Sequence, residues 1–210
     1  MYPPITDLIQ RYPDLAVCAD DVALAFDALK ATFERGGKLL VCGNGGSAAD
    51  SEHIVAELMK GFRLPRALSA AERAQLRAAV PEHAGYLADH LQGALPAVAL
   101  VSHSGLVTAF ANDVAADMIF AQQVFGLGRP GDALLAISTS GNSANVLHAL
   151  RVARAKNLRT IGLTGRTGGA MRDWCDVTIY VPATDTAAIQ ERHLPIYHTL
   201  CTLLEDAFFG

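Results

Sequence analysis

Helical stretches and short apolar runs alternate along the chain. Residues 20–35 place Val22, Leu24, Ala25, Leu29, Ala31 and Phe33 at helical spacing, and Gly36-Gly37 ends that helix. The run Lys38-Leu-Leu-Val-Cys42 reads as a buried strand entering Gly43-Asn44-Gly45-Gly46, with Ser47 as N-cap of a helix over 48–59. A second cycle starts with a strand at 97–101, passes Ser102-His103-Ser104-Gly105 and reaches a helical stretch containing Ile119 and Val124. The third has a strand at 133–137, then Ser138-Thr139-Ser140-Gly141-Asn142-Ser143 and a helix over 144–156. Strands at 160–164 and 177–181 follow, and a last helix covers 186–208.

Strands separated by helices imply right-handed crossovers and a parallel sheet covered on both faces. The expected fold is α/β, a three-layer α/β/α sandwich with a five-stranded parallel sheet. It forms one domain over 1–210, with a helical N-terminal segment over about 1–36. Residues 62–95 are too long for a simple connection. They read as a helical insertion, with Ser69-Ala-Ala-Glu72 as a capping box and a second short helix over 82–91. It serves as a lid or subunit contact, or is a surface elaboration.

The chain has 210 residues, 51% of them hydrophobic and 18% charged, which excludes disorder. A net charge of -4 gives no electrostatic footprint for a nucleic-acid backbone. Neither a basic leader nor an apolar run of about 20 residues is present, so no membrane is expected and the cytoplasm is the expected compartment. Cys18, Cys42, Cys175 and Cys201 lack CxxC spacing and read as free thiols.

An anion must then be held by local donors. Ser138, Thr139, Ser140 and Ser143 put four hydroxyls between a strand and a helix start, where unpaired N–H groups and the helix dipole favour phosphate. A loop of the same kind at the end of another strand adds Asn44, Gly45 and Ser47 as substrate-binding candidates. Neither matches a nucleotide-binding signature. His53 and Glu57, four apart on the following helix, share a face and suit either a metal or base-and-partner chemistry. The last helix carries Gln190, His193 and His198 in an apolar stretch. Spacing pairs Gln190 with His193, and Pro195 is positioned to kink the helix before His198.

The stretches CGNGGSAADSEHIVAEL, ISTSGNSANV, LTGRTGG and IQERHLPIYH resemble those of the phosphoheptose (sedoheptulose 7-phosphate) isomerases of the sugar isomerase (SIS) superfamily, a flavodoxin-like fold. The resemblance implies that Ser47, Ser138, Thr139, Ser140 and Ser143 hold a sugar phosphate, and that Glu57 and His198, rather than His193, are the acid/base pair. It implies zinc bound by His53, Glu57, Gln190 and His198, and a homotetramer with active sites between subunits. Asn112-Asp113 matches a family pair, placing Asn112 at the substrate and Asp113 beside it. His103 stands where the family has an acidic residue near the sugar hydroxyls, which leaves the sugar open. The competing reading is a non-catalytic SIS module that acts through protein contacts, as the related DnaA initiator-associating protein does. Retention of Glu57, Gln190 and His198 speaks against it.

Overall fold

The computed structural model describes residues 2–210. Two helices come first, α1 (Pro3–Arg11) and α2 (Ala19–Glu34), joined by a 3-10 segment over Pro13–Cys18. Then follow β1 (Leu39–Cys42), α3 (Gly46–Met59), α4 (Ala70–Ala79), α5 (Ala84–His90), β2 (Ala97–Ala99), α6 (Ser104–Asp113) and α7 (Ile119–Leu127). The chain ends with β3 (Ala133–Ser138), α8 (Ala144–Ala155), β4 (Arg159–Thr164), β5 (Val177–Tyr180) and α9 (Thr186–Phe209).

The five strands are all parallel, in the order β2-β1-β3-β4-β5, with Leu39 beside both Ala97 and Ala133. Every residue of β1 and β3 is buried, as a sheet covered on both faces requires. Alternate side chains feed two separate cores. Leu39, Val41, Leu135 and Ile137 join α1, α2, α3 and α9 on one face. Leu40, Cys42, Leu134 and Ala136 join α7 and α8 on the other. Each such Leu or Ile contributes about 1.5–3 kcal/mol by leaving water. At the amino ends of β1 and β3, Lys38 Nζ lies 2.5 Å from Asp132 Oδ2, and Asp132 also accepts from the backbone N–H of Lys38 and Arg129.

Three expectations are corrected. Leu24 is 56% exposed, so the buried stripe of α2 runs through Val22, Ala25, Phe26 and Leu29 without it. Ser47 is no cap: α3 begins at Gly46 after Gly45, whose φ of 57° turns the chain into the helix two residues earlier. The segment after β2 contains the extra helix α6. In the insertion, Ser69 and Glu72 form the capping box, α4 buries nothing and α5 buries Ala84 and Ala88. No disulfide forms, and burial pushes the Cys42 thiol up to about 12, leaving it an inert core group. No helix among the described residues is long and apolar enough to cross a membrane.

Candidate active site

Both hydroxyl- and glycine-rich loops stand at the carboxyl ends of adjacent strands β1 and β3, where ligands of open α/β sheets gather. In the β3 loop, Ser138 Oγ and Ser143 Oγ are 3.1 Å apart, and Ser138 Oγ accepts from the Gly141 N–H at 3.2 Å. Ser140 Oγ accepts from the Asn142 N–H at 3.2 Å, and Thr139 lies half-buried between them. Hydroxyls and helix-start N–H groups thus converge at the first turn of α8 with no lysine involved. Gly141 has φ 66° and lies against the backbone of Gly168 and Gly169, whose φ values are 72° and 54°. The Met171 N–H donates to Gly141 O at 3.0 Å, and the Ala170 N–H to Asn142 Oδ1 at 2.9 Å. The TGRTGG stretch after β4 is therefore a backbone floor under the Ser138–Ser143 loop, so close at Gly141 that no side chain would fit.

In the β1 loop Ser47 is buried at the first turn of α3. Asn44 exchanges two amide hydrogen bonds with Asn145, each 2.9 Å, tying this loop to the start of α8. Asn44 thus works as a strut between the loops, and Asn145 is a site residue that sequence reading did not find. Gln190 packs on the same loop, since a Cβ on Gly46 would lie 2.5 Å from its Nε2.

Further along α3 lies a titratable chain. Tyr197 Oη donates to Asp50 Oδ1 (3.2 Å) and accepts from His53 Nδ1 (3.0 Å), because a carboxylate only accepts. His53 Nε2 faces Glu57 Oε1 at 3.1 Å, and Lys60 Nζ reaches Glu57 Oε2 at 3.2 Å. With Nδ1 turned to Tyr197, Nε2 is the ring nitrogen left to face Glu57. Burial and the Asp50 charge push the Tyr197 phenol up, so it stays a donor. Burial, with Tyr197 and His53 opposing it, leaves Asp50 above its usual range.

His198 places its ring edge-on to His53, centroids 5.0 Å apart, and against Phe62 at 5.4 Å. Burial and then the His53 charge hold it below the ordinary histidine range, and its Nε2 is buried without a hydrogen-bond partner among the described residues. His193, the residue favoured by spacing, is fully buried beside Thr164, and burial lowers it to about 4. It is a core residue on the far face of α9. The helix runs unbroken through Pro195.

His53, Glu57 and His198 are zinc-type donors, and the orphaned His198 Nε2 beside the His53–Glu57 pair fits a cation. Among the described residues, however, no three His, Cys, Asp or Glu side chains are gathered closely enough to hold a metal as they stand. Gln190 stands apart from the three: Gly46, on which it packs, precedes His53 by seven residues, about 10 Å of helix rise. His198 opens onto a cavity of about 650 Å³ between α1 and α9, lined by Asp7, Arg11, Tyr12, Phe62 and Arg63 and by no residue of either loop.

At the end of β2, the exposed His103 hydrogen-bonds Gln123 Oε1 through Nδ1 at 2.6 Å. Gln123 Nε2 donates to Leu100 O and Ile119 O, which fixes the amide and makes His103 Nδ1 the donor to Oε1. Asn112 donates to Asp113 at the end of α6, and neither makes a side-chain hydrogen bond to the two loops among the described residues.

Residues 14–82 and 74–165 match the family model of the SIS domain. The chain is 44% identical to a phosphoheptose isomerase of Rhodospirillum rubrum over 92% of this chain and 89% of that one. It is 38% identical to the Synechocystis phosphoheptose isomerase over 96% and 93%. The solved phosphoheptose isomerase of Francisella tularensis superposes with TM-score 0.77 at 32% identity, and that of Neisseria gonorrhoeae with 0.75 at 33%, each covering 96% of this chain and 94% of the other.

Proposed function

The chain belongs to the phosphoheptose isomerases of the SIS superfamily and is a sugar-phosphate isomerase, and from that premise we propose that it interconverts sedoheptulose 7-phosphate and an aldose heptose 7-phosphate for heptose biosynthesis. The observation that carries the residue assignment is Glu57 bonded to His53, whose ring stands edge-on to His198, on the helix that starts at the β1 loop. From Ser47 to Glu57 the rise of α3 is about 15 Å, shortened because helical side chains lean toward the N-terminus. That span suits a long phosphosugar whose phosphate and reacting carbons lie at opposite ends.

In this reading the Glu57 carboxylate takes a proton from C1 of the ketose and returns it to C2. His198, neutral near neutral pH, moves the accompanying proton between O1 and O2. Lys60, bonded to Glu57 Oε2, helps to orient the carboxylate. The phosphate, gripped by the Ser138–Ser143 loop, supplies remote binding energy that positions the carbons. Zinc held by His53, Glu57 and His198 would polarise the carbonyl when bound. Because the cavity at His198 shares no residue with the loops, a second copy of the chain is proposed to complete each site, within a cytoplasmic homotetramer.

The test is Glu57→Gln, with turnover of sedoheptulose 7-phosphate followed by NMR of the aldose product. Turnover is expected to vanish while the phosphosugar still binds. Near-normal turnover removes Glu57 from the chemistry.

A further inference from the structure

Arg66 and Glu205 are both 0% exposed in their side chains, and Arg66 Nε lies 2.8 Å from Glu205 Oε1. Burying two charges costs several kcal/mol per ion, which their mutual attraction offsets only when further hydrogen bonds support the pair. Five such bonds surround this one. Glu205 accepts the backbone N–H groups of Phe62 (2.8 Å), Arg63 (2.7 Å) and Leu64 (3.1 Å). Arg66 gives Nη1 to Leu58 O at 2.7 Å and Nη2 to Glu57 O at 2.8 Å. Those are last-turn carbonyls of α3, which a helix cannot pair internally, and a cation there also meets the negative end of the dipole.

We propose that the Arg66–Glu205 pair is a positioning device for the isomerisation, setting Glu57 and His198 against one another. The inference rests on the acid/base reading above. On one side the guanidinium holds the main chain of Glu57 itself. On the other, Glu205 follows His198 by seven residues, two turns along α9, so the pair ties the helix carrying the base to the helix carrying the acid. Phe62 makes the third link: its N–H is bound by Glu205 and its ring lies on His198. Neither residue touches the phosphate loops by hydrogen bond, so the device acts on the reacting end of the substrate alone.

Arg66→Lys keeps the charge but lacks the planar fork that reaches three acceptors at once. In the full-length protein, kcat for sedoheptulose 7-phosphate is expected to fall about 10- to 100-fold, as for a catalytic group displaced by about 1 Å. KM should stay within about 3-fold, because phosphate binding is untouched. The isosteric Glu205→Gln should show the same split, and it replaces Arg66→Lys as the readout if that chain is recovered unfolded. The paired Arg66→Met/Glu205→Leu variant fills the space with apolar side chains, so it should fold and remain slow. Asp132→Asn, which weakens the ion pair at the opposite end of the sheet, should lose stability and keep its kcat. A kcat within about 2-fold of wild type in these Arg66 and Glu205 variants overturns the inference, as does a loss that merely follows the folded fraction. If Glu57→Gln is dead while Arg66→Lys is normal, only the positioning role fails. If Glu57→Gln is active, the acid/base reading itself falls.

Discussion

Gly141→Ala should damage phosphate binding far more than the loss of a flexible residue would suggest. The φ of 66° is a conformation that alanine adopts at a cost of about 1–2 kcal/mol. The added methyl would point into backbone rather than solvent: Gly169 N would lie 2.9 Å away, and Gly168 O far inside contact distance. No side chain can rotate aside, because both neighbours are main chain, held by the Met171 and Ala170 N–H bonds to the same loop. Overpacking of this kind adds about 1–3 kcal/mol. The sum, about 2–5 kcal/mol, can be lowered only if the loop withdraws by about 1 Å from its floor, carrying Ser138, Ser140 and Ser143 with it. A shift of that size costs about 100-fold in kcat/KM. Urea unfolding of the purified variant, with initial rates across substrate concentration, measures both effects, and KM should carry much of the kinetic loss. A variant with wild-type KM and stability within about 0.5 kcal/mol of wild type would refute the claim that the TGRTGG segment braces the phosphate loop.

His198→Ala should abolish turnover with the fold intact, whereas His193→Ala should lose about 2–4 kcal/mol of stability yet keep its kcat per folded molecule; the reverse kinetic order would reassign the acid/base. Zinc content of purified protein, read by atomic absorption, should fall in His53→Ala and His198→Ala; full activity in protein stripped of zinc would remove the cofactor. Burial lowers His193 to about 4, so between the ordinary pKa and about 4 the unfolded chain binds a proton that the fold refuses. This group's contribution is intact above about pH 6.5 and is lost as pH falls, by about 2 kcal/mol between pH 7 and 5. His193→Leu should flatten that slope in urea unfolding at the two pH values, and equal slopes would refute the assignment.

The five strands and the carboxyl-end loops were legible because each strand is a short apolar run bounded by glycine, proline or polar residues. Helix α6 was not, since its short apolar set of Leu106, Val107 and Phe110 marks no buried face and none of its residues is buried. At the site, His53 with Glu57 was visible as an i, i+4 pair on one helix. Partners distant in sequence were not: Tyr197 reaches His53 across 144 positions, and Asn44 reaches Asn145 across 101. Arg66 had no local signature, because its partner lies 139 residues away and its acceptors are backbone carbonyls. The preference of spacing for His193 failed because Gln190 turns to the Gly46 loop. Adjacency to Gln190 on the helix therefore says nothing about which histidine meets His53.

The same buried knot explains how the chain carries its insertion without disturbing the site. The segment leaves and returns at neighbouring points: Ala67 bridges Gln92 antiparallel, and the Gly93 N–H donates to Arg66 O at 2.7 Å. Gln92 Oε1 also accepts from the Gly61 N–H at 2.9 Å, closing the turn after α3. With its ends pinned, added length costs closure entropy that grows only as a logarithm, about 0.6 kcal/mol per doubling. Within the insertion the contacts are weak, with no buried residue in α4 and an exposed Arg73–Asp89 pair worth under about 1 kcal/mol. Opening of α4 is therefore cheap compared with loss of the Arg66–Glu205 pair. The Ala67–Gln92 bridge and the Gly93–Arg66 bond thus separate the insertion from the guanidinium that holds the main chain of Glu57.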